Sequence, residues 1–164
     1  MLKPAVLNAL NKQINAEIAS AYLYLSMAAH FESLNFRGMS HWLQVQSREE
    51  WGHAMKIYHY VLEAGGQVTL TQIDAPKTKW KSVLDVFEDT LAHECQVTEM
   101  IYAIVKLAIQ DGDFATQSFL QWFVTEQVEE ESQSRMIVEK LKMMGEGNIG
   151  LFILDGELGR RAAE

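Results

Sequence analysis

The chain has 164 residues, 48% of them hydrophobic and 22% charged, with a net charge of −8. That length buries a substantial core in one domain, taken here as residues 1–164, and the negative charge disfavours nucleic acid and suits cations. A single cysteine, Cys95, excludes an intrachain disulfide framework and a thiolate-rich metal site. No N-terminal leader and no apolar run of membrane length is visible, so a cytoplasmic protein without a membrane partner is expected.

Pro4 stands where a first helical turn tolerates proline. From there Leu10, Ile14, Glu17, Ala21, Tyr24, Ala28 and Phe31 follow the +4, +3 rhythm of one helical face. Glu17 breaks that apolar run, and the segment closes near Asn35. The short turn at Phe36-Arg37-Gly38 predicts a second helix lying back along the first, from about Met39 to Ala64. Its face runs Met39, Leu43, Gln46, Glu50, His53, Ile57, Tyr60 and Ala64, with Gly65-Gly66 as a stop.

Residues 67–81 show no helical period. An extended stretch of ~15 residues reaches at most ~50 Å, and a helix of ~27 residues is ~40 Å long. The loop is therefore long enough to cross a whole bundle and start the third helix from the same end as the second. Ser82 with Asp85 reads as a capping box. A third face follows as Leu84, Phe87, Leu91, Glu94, Thr98, Ile101, Val105 and Ala108. After the turn Asp111-Gly112-Asp113, which can also line an ion entry path, a fourth face gives Leu120, Phe123, Gln127, Glu130, Ser134, Ile137 and Leu141. The bundle spans about residues 5–144. A short apolar segment at about 148–158 is a fifth helix, too short to stand alone.

Every main helix thus carries polar groups in mid-stripe: Glu17, Glu50 with His53, Glu94, and Gln127 with Glu130. The separations repeat, with 33 residues from Glu17 to Glu50 and 33 from Glu94 to Gln127. Unpaired charges inside a core are costly, and one such Glu or His alone reads as a satisfied core residue. Four interruptions at matched offsets read instead as the ligand plan of a carboxylate-bridged dinuclear site: one Glu from each of two helices and an i, i+3 pair from each of the others. Carboxylates with one imidazole suit iron or manganese. Glu50 is the expected bridge.

Tyr24 shares the Glu17 face, either as a group bonded to a ligand or oxidised beside the metal, or as a core tyrosine. Trp122 reads as core packing rather than as an electron donor. Glu49, Glu126 and Glu129, with Glu130, form a candidate outer cation site or a solvated acidic face. His30, His41, His59 and His93 are not expected as ligands. Two other readings compete: a bundle oxidase that stores no iron, and a structural bundle with buried polar hydrogen bonds.

The blocks Asn15-Ala16-Glu17, Tyr24-Leu25-Ser26-Met27, Glu49-Glu50-Trp51-Gly52-His53 and Phe119-Leu120-Gln121-Trp122-Phe123, leading into Thr125-Glu126-Gln127-Val128-Glu129-Glu130-Glu131, resemble prokaryotic non-haem ferritins. Glu130, where bacterioferritins and rubrerythrins carry His, and Gly52, in place of a haem-ligating Met, set it apart from those relatives, and no haem is expected. The resemblance implies an all-α, ferritin-like four-helix bundle with one long crossover between helices 2 and 3. It implies a first iron held by Glu17, Glu50 and His53 and a second by Glu50, Glu94 and Glu130, with Gln127 close by. Glu49, Glu126, Glu129 and Glu130 match the family's third iron site. It further implies a ferroxidase that oxidises Fe(II) with O2 or H2O2 and stores ferric mineral in a homo-oligomeric shell of twenty-four subunits.

Overall fold

In the computed structural model, which describes residues 2–145 and 147–162, the chain forms five helices: α1 (Pro4–Ser33), α2 (Arg37–Glu63), α3 (Val83–Gln110), α4 (Phe114–Met144) and α5 (Asn148–Leu158). Met1 and residues 163–164, the outer ends of the expected 1–164 domain, lie outside the described residues. No described helix is long and apolar enough to cross a membrane. Boundaries fall within two residues of those expected, and each has a local cause. Pro4 opens α1, where its missing N–H costs no helical bond. Asn35 at φ 61° and Gly65 at φ 75° take the left-handed conformation that ends α1 and α2. At the start of α3 the Ser82 hydroxyl accepts the Asp85 N–H at 3.1 Å, whereas the Asp85 carboxylate turns outward to accept Lys81 N–H at 2.8 Å. The cap is there but the reciprocal half of the box is not. Asp113 caps α4 through Thr116 N–H at 3.0 Å, which gives that turn residue a structural task.

Contacts across the bundle fix its topology. Along α1 and α3 the pairs Ser20–His93, Thr90–Met27 and Phe31–Phe87 run in opposite senses. Along α2 and α4 the pairs Gln46–Glu130, His53–Glu126 and Tyr60–Thr116 do the same. Since α1 and α2 are joined by a short turn as an antiparallel hairpin, α2 and α3 run parallel. The segment 64–82 covers the bundle's length to make that possible. It is pinned by a ladder of asparagine amides: Asn11 accepts Thr69 N–H and donates to the Gln67 carbonyl, while Asn15 accepts Thr71 N–H and donates to the Thr69 carbonyl, all at 2.8–3.1 Å. Each amide satisfies backbone groups that a loop strand would otherwise leave unpaired.

The apolar interior is divided in two. One cluster gathers Tyr24, Phe31, Met39, Leu43, Phe87 and Leu141 with Leu154 and Leu158 of α5. The other gathers Leu10, Ile14, Ile57, Ile101, Leu120 and Phe123. Between them lies the polar layer. The buried face of α3 is wider than a one-residue stripe: Val86, Thr90, Val97 and Ile104 are buried, while Leu84, Leu91 and Val105 are only partly so. A helix touching two neighbours needs such a broad face.

Candidate metal centre

Glu17 on α1, Glu50 and His53 on α2, Glu94 on α3, and Gln127 and Glu130 on α4 are all buried, none more than 5% exposed. Helical spacing explains the convergence. Residues three apart on one helix point to one side, so α2 delivers both Glu50 and His53, and α4 both Gln127 and Glu130. The apolar turns above and below fix the register.

Among the described residues, three groups bring one ligand atom each to within 4.8 Å of one another: Glu17–Glu50–His53, Glu50–Glu94–Glu130, and His53–Glu126–Glu130. The first two share Glu50, which is the geometry of two adjacent cation positions with a common carboxylate. Glu50 Oε2 lies 3.4 Å from His53 Nδ1. It is buried without a hydrogen bond, as are Glu17 Oε2 and, further along α4, Ser134 Oγ. A buried carboxylate oxygen with no partner is costly. Both carboxylates belong to the group that includes His53, and each leaves lone pairs that accept no hydrogen, as a cation site requires. Oxygen donors with one nitrogen suit Fe or Mn rather than a thiolate-seeking ion.

The remaining oxygens are held by a shell of neutral donors. Gln13 Nε2 donates to Glu17 Oε1 at 2.8 Å. Gln46 Nε2 donates to Glu130 Oε2 at 2.6 Å and to Glu50 Oε1 at 3.3 Å. The Tyr24 hydroxyl donates to Glu94 Oε1, and Gln127 Nε2 to Glu94 Oε2 at 3.3 Å. Gln127 thus faces Glu94 as a donor in this state. Such contacts orient the carboxylates without neutralising them.

Electrostatics follow from crowding acids in a dry layer. Burial, then the charge of Glu50, raises the Glu17 pKa well above the ordinary carboxylate value. Burial, then the charge of Glu94, does the same to Glu50. Burial lifts Glu94 to about 7, against the hydrogen bonds from Tyr24 and Gln127 that lower it. Glu130 rises to about 8 through burial and the nearby Glu94. Burial and the Glu94 charge also push the Tyr24 phenol up, so it stays a proton donor.

The outer acids are arranged differently. Glu126 Oε1 approaches His53 Nε2 at 3.8 Å and joins Glu130. Glu49 faces Arg161, and Glu129 is exposed and accepts Gln133 Nε2 at 2.9 Å. Trp122 is not core: it is 38% exposed, its edge meets the His53 ring at 5.3 Å between centroids, and Lys56 Nζ sits 3.7 Å above it. A position one residue off the buried stripe puts the indole at the rim. Cys95 is partly exposed, and burial with the charge of Glu131 raises its pKa, which keeps it a thiol. Sequence reasoning missed Gln13, which lies four residues before Glu17 on the same helix, and gave Gln46 no role although it stands on the Glu50 face. It also missed Arg161, for which nothing local gives a position.

The ferritin-like domain family matches residues 7–144. The chain is similar to a bacterial non-heme ferritin of Bacteroides fragilis (strain 638R), 43% identical over 161 residues and covering 98% of this chain and 100% of the relative. A bacterial non-heme ferritin of Staphylococcus saprophyticus is 40% identical over 162 residues, covering 99% and 97%. Among solved structures, an open pore ferritin from the hyperthermophilic archaeon Archaeoglobus fulgidus superposes with a TM-score of 0.98 at 49% identity over 99% of each chain. An engineered closed form of that ferritin gives 0.98 at 48% over the whole of both chains. The chain belongs to the ferritin family, with a cluster of buried carboxylates and one histidine able to hold metal ions at the centre of its bundle.

Proposed function

We propose that this protein, folded as one domain over residues 1–164, binds Fe(II) as substrate in the buried layer, oxidises it with O2 or H2O2, and stores the ferric product inside a homo-oligomeric shell of twenty-four subunits. The setting is the cytoplasm, with neither nucleic acid nor membrane as a partner. The observation that carries the reading is the pair of acid groups sharing Glu50, each with a buried carboxylate oxygen left without a hydrogen bond. Glu17, Glu50 and His53 hold one ion; Glu50, Glu94 and Glu130 hold the other.

The carboxylates release protons as cations arrive, since ligation requires the ionised form. With both sites filled, one electron leaves each ferrous ion and O2 takes up two electrons and two protons to give H2O2. Hydrolysis of the ferric ions then releases more protons than the reduction consumed. Hard oxygen donors favour the higher charge and so drive the oxidation. Gln13 and Gln46 hold carboxylate oxygens that are not ligating, and Tyr24 and Gln127 position Glu94. Gln127 is also within reach of an ion beside Glu94. Glu126, Glu129 and Glu49 flank the layer on its outer side and provide a third, transit position with Glu130.

The test is to add Fe(II) aerobically to metal-free protein, follow ferric absorbance, and assay iron in the protein peak after gel filtration. Fast oxidation with iron retained far beyond the binding stoichiometry is expected. Turnover with all iron eluting free of protein would identify a bundle oxidase instead.

A further inference from the structure

The tail after α5 carries a positive charge into the outer carboxylate cluster, and the docking of α5 fixes where it lands. Asp155 Oδ1 accepts the Met39 N–H at 2.8 Å, so a side chain of α5 caps the N-terminus of α2, which has no cap of its own. The two helices meet backbone to backbone: a Cβ on Gly38 would lie 1.7 Å from the Asp155 carbonyl oxygen. Leu154 and Leu158 are buried beneath. Beyond Leu158 the chain turns, and His41 Nε2–H donates to the Arg161 carbonyl at 2.8 Å.

From that point the Arg161 guanidinium lies over Trp42, 4.5 Å from the ring centroid. One arm, Nη1, donates to Gln46 Oε1 at 2.8 Å, and the other, Nη2, to Glu49 Oε2 at 2.5 Å. Both partners of the ion pair are largely shielded, at 16% and 18% side-chain exposure, so solvent screens it less than a surface pair. Arg161 and Glu49 line a groove of about 350 Å³ between α4 and α5. Because Arg161 occupies the Gln46 oxygen, the amide nitrogen must face Glu130 and Glu50.

We propose that Arg161 is a built-in cation of the outer cluster, which competes with ferrous ion for Glu49 and, through Gln46, holds Glu130 and Glu50 in register for the inner pair. This rests on the dinuclear reading above. A third ion at Glu49 has to displace a fork-shaped donor engaged on two side chains, and it meets a fixed positive charge at contact distance. With the tail docked the outer position holds an ion only weakly, as a transit position does; with the tail released it holds one firmly. Arg161 is a positioning residue and touches no reacting atom.

The test is an anaerobic calorimetric titration of metal-free, assembled protein with Zn(II), which binds without being oxidised. Wild type is expected to take two ions per chain tightly and a third only weakly. Arg161→Gln is expected to take a third, with outer-site affinity at least about tenfold higher, and the added Glu49→Gln substitution to remove it again. A chain ending at Gly159, which lacks the tail but keeps α5, is expected to match Arg161→Gln, so a folding defect in one variant leaves the other to decide. A third ion bound as tightly in wild type as in both variants overturns the proposal while leaving the dinuclear site intact. No Zn(II) bound by any of the proteins overturns the dinuclear reading and this inference with it.

Discussion

The Tyr24 hydroxyl donates a hydrogen bond to Glu94 across the α1–α3 interface, with both side chains fully buried. That bond ties the upper apolar cluster, to which the Tyr24 ring belongs, to the carboxylate layer beneath it. Tyr24→Phe keeps the ring and removes the donor, leaving Glu94 with Gln127 at 3.3 Å. A hydrogen bond to a charged group is worth about 1.5–3 kcal/mol. Anaerobic Fe(II) titration of Tyr24→Phe is expected to show the second ion bound at least about tenfold more weakly, with the oligomer unchanged. Unchanged affinity would reduce Tyr24 to a packing role.

Glu50 belongs to both acid groups, so its loss removes a ligand from each. Glu50→Ala is expected to oxidise Fe(II) no faster than buffer does in a stopped-flow cell, while gel filtration finds the same particle. Fast oxidation in that variant would take Glu50 out of the site.

The pH dependence of the metal-free protein has a definite sign. Glu94 and Glu130 ionise near 7 and 8 in the folded chain against 4.5 as the ordinary value, and Glu17 and Glu50 are raised as well. A raised carboxylate keeps its proton in the folded state after the unfolded state has lost it, so stability falls as pH rises from about 5 to about 8. Urea midpoints in the presence of chelator are expected to drop across that window. Bound metal is expected to flatten the slope, since it stabilises the ionised acids. A midpoint that rises with pH in the chelated protein would mean that the layer is not desolvated.

The α2–α5 contact is testable through Asp155. Replacing a helix cap by Ala costs about 1 kcal/mol, so Asp155→Ala is expected to lower the thermal midpoint and loosen α5. Gly38→Ala, whose Cβ meets the Asp155 carbonyl, forces the helices apart and is expected to be worse. Removing residues from Gly147 onward is expected to weaken the homo-oligomer, as read by sedimentation; an unchanged particle would make α5 dispensable.

What was legible in the sequence follows from helical periodicity. Glu17, Glu50, His53, Glu94, Gln127 and Glu130 each interrupt an apolar face, and a face buried in a bundle has only the interior to point into. Topology was legible because the 67–81 segment is long enough to cross the bundle. The rest depends on tertiary geometry that no period encodes. Arg161 reaches Glu49 over 112 residues of chain only because Asp155 and Gly38 set the angle of α5. Gln13 and Gln46 are neutral and common on helices, so composition gives them no mark. Trp122 was misplaced because an aromatic residue one step from the stripe reads as core, whereas the helix turns it to the rim beside Lys56. Asn11 and Asn15 sit on a helix, yet their amides serve the crossover loop, a partner more than fifty residues away.

The most direct measurement is anomalous scattering at the iron edge from crystals of this protein soaked with Fe(II) without oxygen. Two peaks per chain are expected, one among Glu17, Glu50 and His53 and one among Glu50, Glu94 and Glu130, with Glu50 contacting both. No peak in the buried layer, or iron confined to Glu126 and Glu129 outside it, would contradict the dinuclear centre.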